Sequence, residues 1–312
     1  MKTKIAFIYP GQGSQTVGMG ESFLEDDTSR KFFESADQAL DLDLSKLMLE
    51  GPQEQLTLTY HAQPALLTVS SMITERLIRA GIRPDYTAGH SLGEYSALVT
   101  SNVLEFPKAV NIVHKRGLFM NTAFPAGEGT MAAILGMESE ELEKVTNEVT
   151  DTTGVVQLAN LNCPGQIVIS GTKAGVEQAC LLAKERGAKR AISLDVSGPF
   201  HSELMRSASQ DLAKELSVSF LLDAKVPVVS NVTAKAETNA TQIQDLLVRQ
   251  LYSPVLWEQS VREMIDLGVT VFVEIGPGKV LSGLVKKIDR SVKTFPVYDL
   301  ESFGKAVEEL GK

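Results

Sequence analysis

Ser91 has the surroundings of a catalytic nucleophile. It lies in GHSLG, residues 89–93, where a short apolar stretch gives way to a helical pattern. G-x-S-x-G at a strand-to-helix junction is typical of a nucleophile elbow, in which glycines allow a turn too tight for a Cβ atom. The serine oxygen then lies at a helix N-terminus, where backbone N–H groups favour developing negative charge. An ordinary N-cap is the alternative interpretation, because Glu94 follows at the capping-box position.

A serine hydroxyl needs a base, and the chain has four histidines. His90 is adjacent to Ser91, so we expect its side chain to diverge from the hydroxyl, and His61 fits a capping or surface role near a helix start. The helical pattern places His114 just outside an apolar arc, so we expect it to face solvent. His201 lies in a Gly/Pro loop that leads into a helix, where scaffolds present functional side chains. It is the favoured base, with helix capping as the alternative.

Arg116 lies near the middle of that same apolar arc. A guanidinium cannot lose its charge by deprotonation, so a buried Arg116 needs an anionic partner. A neighbouring aspartate or glutamate would supply one, and extension of the side chain to the surface would avoid the need. The third interpretation is a fork that awaits the carboxylate of a substrate.

Two glycine-rich turns do not fit nucleotide-binding motifs. Residues 11–15 are followed by Thr16, where the fingerprint G-x-G-x-x-G requires its third glycine. Residues 276–279 lack the upstream glycine of a phosphate-binding loop, and Val280 stands where a serine or threonine would bind magnesium. We therefore expect no cofactor and no metal.

The composition argues against several classes of protein. Of 312 residues, 30 are Lys or Arg and 39 are Asp or Glu, so the net charge of −9 argues against a nucleic-acid or membrane partner. Cys163 and Cys180 lack a C-x-x-C spacing, so neither a disulfide framework nor a structural zinc site is expected. No apolar run is long enough for a membrane span, and the N-terminal segment does not fit a signal peptide. We expect a soluble protein of the cytoplasm.

Apolar runs of strand length alternate with amphipathic helical stretches, which indicates an α/β fold with a largely parallel sheet. Between residues 127 and 197 the order becomes β-α-β-β-α-β, typical of a ferredoxin-like unit. We predict an α/β-hydrolase-like large domain, residues 1–126 and 198–312, with residues 127–197 as an inserted ferredoxin-like subdomain.

The element boundaries follow from these patterns and from Gly and Pro positions. The predicted strands are Ile5–Tyr9, Tyr86–Gly89, Thr130–Leu135, Val155–Asn160, Gln166–Ser170, Arg190–Val196, Val226–Ser230 and Val271–Ile275. Helices are predicted over Ser139–Thr150 and Lys173–Arg186, and from Ser91, Pro107, Ser202, Thr241, Val280 and Glu301. Residues 29–80 read as helical, with interruptions at Gly51 and near Pro64.

Six segments together resemble one known family. They are GQGSQ at 11–15, GHSLGEYSAL at 89–98, HKRG at 114–117, ANLNCPGQIVISG at 159–171, GPFHS at 198–202 and EIGPGKVLSGL at 274–284. In this order the chain resembles the malonyl-CoA:acyl carrier protein transacylases, the stand-alone malonyltransferases of bacterial type II fatty acid synthesis. The resemblance runs from about Ile5 to Val297.

The resemblance implies a role for five residues around the thioester. Ser91 would be the nucleophile that forms a malonyl ester, and His201 its general base and later general acid. The backbone carbonyl of Gln250 would steady the histidine, which explains why no acidic motif completes a triad. Gln12 and the backbone N–H of Leu92 would form the oxyanion hole.

The resemblance also implies residues that hold the acyl group. Arg116 would bind the malonyl carboxylate through a bidentate pair. Gln63, Asn162 and Gln166 resemble polar pocket residues of the family. Phe200 would crowd the α-carbon of the acyl group, which favours malonyl over methylmalonyl.

The implied partners are malonyl-CoA and holo acyl carrier protein, and the family's usual monomeric state is expected. The carrier is acidic, so docking needs a local basic surface. Two clusters are candidates: Lys184, Arg186, Lys189 and Arg190 in the inserted unit, and Lys286, Lys287 and Arg290 on the helix after GPGKV.

Three other functions use the same residues. A serine hydrolase or thioesterase would have the same elbow with water as acceptor, and a trans-acting acyltransferase of a polyketide synthase would have identical chemistry. A module that binds carrier proteins without catalysis is the third, although nothing in it would require Ser91, His201 and Arg116 together.

Overall fold

The computed structural model describes residues 3–311 of the chain. In chain order the strands are β1 (Lys4–Tyr9), β2 (Tyr86–Gly89), β3 (Gly129–Leu135), β4 (Val156–Cys163), β5 (Gln166–Thr172), β6 (Arg190–Ser193), β7 (Val228–Val229), β8 (Ala236–Glu237), β9 (Val269–Ile275) and β10 (Lys293–Val297). The helices are α1 (Asp27–Leu40), α2 (Leu44–Glu50), α3 (Gln53–Thr57), α4 (Thr59–Arg79), α5 (Gly93–Thr100), α6 (Phe106–Thr122), α7 (Ser139–Thr152), α8 (Lys173–Glu185), α9 (Arg206–Ser217), α10 (Ala240–Gln250), α11 (Trp257–Asp266), α12 (Val280–Ile288) and α13 (Leu300–Leu310).

The larger sheet has six strands in the order β10-β9-β1-β2-β7-β8. All its neighbouring pairs are parallel except β7 and β8. Strand β1 is a nearly continuous apolar run because it is central and both its faces are covered. Carboxyl ends of parallel strands lie at one edge, so the residues that follow β1, β2 and β7 meet there. This arrangement confirms the predicted parallel sheet.

The smaller sheet is antiparallel and has the order β4-β5-β3-β6. Helices α7 and α8 pack on one of its faces and bury an apolar cluster there. The β-α-β-β-α-β order and this strand order confirm the predicted ferredoxin-like unit.

Apolar side chains on the other face of the smaller sheet join the main core of the chain. Met131 and Val168 pack in the same cluster as Phe7 and Tyr9 of the central strand β1. The backbone of Val255 also bonds to β4, through Ala159 and Leu161. The division into residues 127–197 and the remainder stays a prediction, since one core serves both sheets.

Helix α4 passes through Pro64, where the sequence predicts an interruption. A proline has no N–H, so the carbonyl four residues earlier loses its helical donor. That carbonyl belongs to Tyr60, and it instead bonds to His114 Nδ1 at 2.8 Å. The expectation that His114 faces solvent is therefore wrong. Its half-buried ring contacts α4, where it bonds to the carbonyl that Pro64 leaves without a donor.

Other boundaries differ where the local pattern is weak. The helix expected from Ser91 begins at Gly93, because Ser91 itself is in the left-handed region. Helix α11 and the strands β8 and β10 have no predicted counterpart. The two strands lie at the edges of the sheet, and short strands carry little periodicity. Within residues 3–311, no helix combines the length and apolarity needed to cross a bilayer.

Candidate active site

Ser91 stands on a sharp turn between β2 and α5, with φ of 50°. A Cβ atom on Gly89 would lie 1.8 Å from the carbonyl carbon of Gly93, and one on Gly93 would lie 2.1 Å from the carbonyl oxygen of Tyr9. Both positions therefore require glycine, because no backbone can move that far without breaking the turn. The geometry is that of a nucleophile elbow, and it presents the serine hydroxyl at the carboxyl edge of the sheet.

The structure brings His201 to Ser91 across 110 positions of sequence: Nε2 lies 2.8 Å from Ser91 Oγ. The other ring nitrogen, Nδ1, lies 2.9 Å from the backbone carbonyl of Gln250. This carbonyl accepts a hydrogen bond from Nδ1–H, so the proton stays on Nδ1 and Nε2 is the acceptor that faces the hydroxyl. Burial and the nearby charge of Arg116 lower the pKa of His201 to about 3, so the imidazole is neutral at ordinary pH.

Asn231 holds the elbow from the neighbouring strand. Its Oδ1 accepts from the backbone N–H of Ser91 at 2.8 Å, and its Nδ2 donates to the carbonyl of Gly89 at 2.6 Å. Asn231 follows β7 as Ser91 follows β2, so the two lie at one sheet edge. Sequence reasoning missed this residue, although a polar residue directly after a predicted strand was a usable signal.

The guanidinium of Arg116 is fully buried beside the serine. Nη2 lies 3.3 Å from Ser91 Oγ and 2.9 Å from Gln250 Oε1, and Nη1 donates to Gln63 Oε1 at 2.7 Å. Its Cζ lies 5.5 Å from the ring centre of Tyr95. All of these partners are neutral, so the direct ion pair with an aspartate or glutamate, one of the three interpretations, is absent among the residues described.

Glu94 is the second residue that the sequence analysis did not place in the site. It is buried, and its Oε2 accepts from Gln250 Nε2 at 2.7 Å and from the backbone N–H of Asn231 at 3.1 Å. Burial raises the pKa of Glu94 to about 7, although both hydrogen bonds and the charge of Arg116 lower it. The sequence analysis named this glutamate only at the capping-box position of an ordinary helix start.

Gln12 and Leu92 line the same cavity as Ser91. The side-chain amide of Gln12 donates to Thr59 Oγ1 at 3.2 Å. The backbone N–H groups of both residues donate to no other residue within 3–311. Two free backbone donors beside a nucleophile can stabilise an oxyanion.

The cavity has a volume of about 170 Å³. Its floor is polar, while much of its wall is apolar. The apolar wall consists of Met120, Met131, Leu194, Val196 and Phe200. Three of these residues, at 131, 194 and 196, come from β3 or from the segment after β6, so the smaller sheet closes the cavity opposite the elbow.

Three polar residues expected in the pocket have other positions. Gln63 lies behind Arg116 and does not line the cavity. Asn162 Oδ1 lies 2.8 Å from His90 Nε2, so it supports the neighbour of the nucleophile. Gln166 is the first residue of β5 and does not line the cavity; its Oε1 accepts from Lys287 Nζ at 3.0 Å.

Comparison with known proteins gives the family. Residues 6–305 match the model of the acyl transferase domain. Malonyl CoA-acyl carrier protein transacylase from Bacillus subtilis (strain 168) is 57% identical over 309 residues, 99% of this chain and 98% of that protein. The chain belongs to the acyl transferase family.

Solved structures resemble this acyl transferase over nearly all of its length. An acyl carrier protein S-malonyltransferase from Vibrio cholerae is 43% identical, with a TM-score of 0.95 over 97% of this chain and 100% of that one. A malonyl-transacylase in complex with a type II PKS acyl-carrier protein is 40% identical, with a TM-score of 0.96 over 98% and 100%. The fold of this acyl transferase is therefore that of its relatives, the inserted antiparallel sheet included.

Proposed function

We propose that this acyl transferase moves a malonyl group from malonyl-CoA to the phosphopantetheine thiol of an acyl carrier protein. The names of its relatives support this substrate pair. The observation that carries the proposal is the buried Arg116 guanidinium 3.3 Å from Ser91 Oγ, since it provides a charge for an acyl group that ends in a carboxylate.

In the first half-reaction Ser91 Oγ attacks the thioester carbonyl and His201 Nε2 takes its proton. The carbonyl oxygen becomes an oxyanion, which the backbone N–H groups of Leu92 and Gln12 stabilise. When the carbonyl re-forms, the carbon–sulfur bond breaks and CoA leaves with the proton from His201. One oxyanion donor typically contributes about 10²–10³-fold and general base catalysis about 10²–10⁴-fold.

The second half-reaction runs the same steps with another thiol. His201 takes the proton of the phosphopantetheine thiol, whose sulfur attacks the ester carbon. The oxyanion forms in the same hole, and the ester bond to Ser91 Oγ breaks as His201 returns the proton. No net proton is consumed, so a neutral His201 is regenerated after each half-reaction.

Arg116 favours an acyl group that carries a carboxylate, because no carboxylate of residues 3–311 is in direct contact with its guanidinium. Gln63 and Gln250 fix the guanidinium through neutral oxygens, which positions it without cancelling its charge. A malonyl carboxylate in the cavity would form the bidentate pair that the fork favours. The side chain of Phe200 lines the same cavity and limits substitution at the acyl α-carbon.

We propose that the carrier docks at the basic cluster around the end of α12, namely Lys286 and Lys287 on the helix and Arg290 just after it. Helix α12 packs against β4, the strand whose Asn160 lines the cavity. The other cluster lies around the end of α8, on the helix-covered face of the smaller sheet, and its Arg186 is paired with Glu148. Charge reversal at Lys287 should raise the KM for the carrier and leave acylation by malonyl-CoA unchanged, whereas reversal at Lys184 should change neither.

Mass spectrometry of the protein after incubation with malonyl-CoA tests the reaction. We expect one malonyl group on Ser91 of the native protein and none on the Ser91→Ala variant. An unmodified native protein would favour a non-catalytic binding module. Addition of holo carrier should then move the label to the carrier, whereas release of free malonate at the same rate without carrier would indicate a thioesterase.

The reaction is identical in fatty acid and polyketide synthesis, so only the preferred carrier protein distinguishes the two roles. Acylation rates with a panel of carrier proteins measure that preference. We propose fatty acid synthesis, the pathway that the family resemblance of the six sequence segments implies. The cytoplasmic location, the monomeric state and the absence of a cofactor, of nucleic acid and of a membrane partner stay predictions from the sequence.

A further inference from the structure

A buried guanidinium needs a compensating charge, and the direct partners of Arg116 supply none. Gln63, Gln250 and Ser91 are neutral acceptors. An isolated charge in such a place is costly, so a negative group nearby lowers the cost without a direct contact. Among the residues described, Glu94 is the carboxylic acid whose charge acts on Arg116.

A single amide joins the two groups. Gln250 Oε1 accepts from Arg116 Nη2 at 2.9 Å, and Gln250 Nε2 donates to Glu94 Oε2 at 2.7 Å. The same amide also donates to the backbone carbonyl of Ser91 at 3.1 Å. The carboxyl group therefore orients one side chain that holds the guanidinium and the nucleophile together.

We propose that Glu94 is the counter-charge of Arg116 and that its ionisation sets how strongly the cavity prefers an acyl group with a carboxylate. This inference rests on the proposed function. Glu94 acts through Gln250 and touches no substrate, so it is a positioning and specificity residue. An ionised Glu94 opposes the arrival of a second negative charge at Arg116, and a protonated Glu94 leaves the full charge of Arg116 to the substrate.

Among the ionisable groups that the structure describes around Arg116, Glu94 is the one that changes its charge near neutral pH. Arg116 on α6 stays charged, and burial raises the pKa of Tyr95 on α5, so that phenol stays neutral. Burial lowers the pKa of His90 and, together with the charge of Arg116, the pKa of His201. Both shifts favour the neutral imidazole. Glu94 itself, with a pKa of about 7, changes its charge in the range where the enzyme is assayed.

The sign of the effect follows from linkage. A bound malonyl carboxylate raises the pKa of Glu94, so malonyl binding weakens as Glu94 ionises. Acetyl-CoA carries the same nucleotide and thioester but no acyl carboxylate, so the ratio of the two substrates cancels every titration that affects both of them equally. The ratio of kcat/KM for malonyl-CoA over acetyl-CoA should fall roughly tenfold between about pH 6 and pH 8.5, the effect of two partly screened charges ~10 Å apart.

The first experiment measures that ratio for the native protein by single-turnover acylation of Ser91, followed by mass spectrometry. The second measures it for Glu94→Gln, which keeps an oxygen acceptor for Gln250 and Asn231 but cannot ionise. We expect the ratio in this variant to be flat and to equal the native value at low pH. A flat native ratio, or the native fall retained in Glu94→Gln, overturns the inference.

Glu274 offers a matched control. Its carboxyl group is buried and accepts hydrogen bonds from the backbone N–H groups of Leu281 and Ser282. Burial raises the pKa of Glu274, as it does for Glu94. Glu274 does not line the cavity. Glu274→Gln should keep the native fall of the ratio, and loss of the fall in this variant would contradict a specific role for Glu94.

A measurement on the native protein covers the case in which Glu94→Gln does not fold, as judged by thermal unfolding followed by circular dichroism. Infrared difference spectra should show a gain of protonated carboxyl absorption near neutral pH on addition of malonyl-CoA and none with acetyl-CoA. No gain with malonyl-CoA overturns the inference. Absence of a malonyl group on Ser91 at every pH would instead overturn the proposed function.

Discussion

The two sheets contribute to the cavity in different ways. The larger sheet brings polar residues to one edge: Gln12, Ser91 and Asn231 follow three adjacent strands, and each has a hydrogen-bond partner from a distant segment. The smaller sheet and the segment after it bring chiefly shape, through side chains such as Met131 and Leu194.

This difference shows how sensitive each region should be to substitution. Hydrogen bonds at the elbow depend on distance and angle, and a lost partner leaves a buried polar group unsatisfied. An apolar wall tolerates changes of similar volume, because packing adjusts more easily than a hydrogen-bond network. Substitutions at the elbow edge should therefore impair the chemical step, and substitutions in the wall should alter selectivity.

The largest effect is expected for His201→Ala, which removes the base at the elbow edge. Single-turnover acylation by malonyl-CoA should slow by about 10³-fold or more, since the oxyanion donors alone remain. The matched wall variant, Leu194→Ala, should change the rate less than tenfold. Similar rates for the two variants would remove the distinction between the regions.

Arg116→Ala should have the next largest effect and should act on one substrate. We expect kcat/KM for malonyl-CoA to fall about 10²-fold, as charged hydrogen bonds are worth ~1.5–3 kcal/mol each, while acetyl-CoA loses far less. Arg116→Lys keeps the charge but not the fork, so its loss should be intermediate. Equal losses for both substrates would mean that Arg116 supports the fold of the site and does not bind the carboxylate.

Two asparagines in the cavity region allow a direct comparison. Asn231→Ala removes both hydrogen bonds to the elbow and should lower the free energy of unfolding by about 1–3 kcal/mol, with kcat reduced roughly tenfold. Asn160 lines the cavity from β4 of the smaller sheet, and Asn160→Ala should reduce kcat less than Asn231→Ala does. Urea unfolding and acylation rates measure both. A larger loss of kcat at Asn160 would place essential chemistry on the inserted unit.

The smallest effect is expected for Phe200→Ala, in the wall. A larger cavity should admit a methyl group at the α-carbon and reduce the preference for malonyl-CoA over methylmalonyl-CoA about tenfold, since one methyl group is worth ~1–3 kcal/mol in a close-fitting pocket. Competition between the two thioesters measures the preference. An unchanged preference would show that the neighbouring wall side chains set the limit.

Much of the fold was predictable because its signals are local. The apolar run of β1, the glycines at 89 and 93 and the β-α-β-β-α-β order each follow from neighbouring residues, and the structure contains all three. Strand β10 was missed because its five-residue pattern does not stand out from the surrounding chain. Helix α11 was missed although its buried residues Trp257, Val261 and Met264 have helical spacing.

The site was predictable only in part. The G-x-S-x-G motif identified Ser91 as a candidate, and the position of Arg116 on an apolar helical arc identified Arg116. His201 was the favoured base because of its Gly/Pro loop, and only the family resemblance pointed to Gln250. Gln166, which the resemblance places in the pocket, bonds to Lys287. Neither approach placed Asn231 and Glu94 in the site. The position of Asn231 directly after a predicted strand was a usable signal that was not used, and a glutamate in a helix is common in any sequence.

The sequence by itself determined that a serine would stand on an elbow, since only glycine fits where backbone atoms approach within about 2 Å of a would-be Cβ. It also determined that a positive charge on an apolar helix face would need compensation. Only the tertiary structure decided which groups meet there. The pairing of Ser91 with His201, and the link from Glu94 through Gln250 to Arg116, join residues 110 to 156 positions apart, and such contacts depend on how the strands assemble.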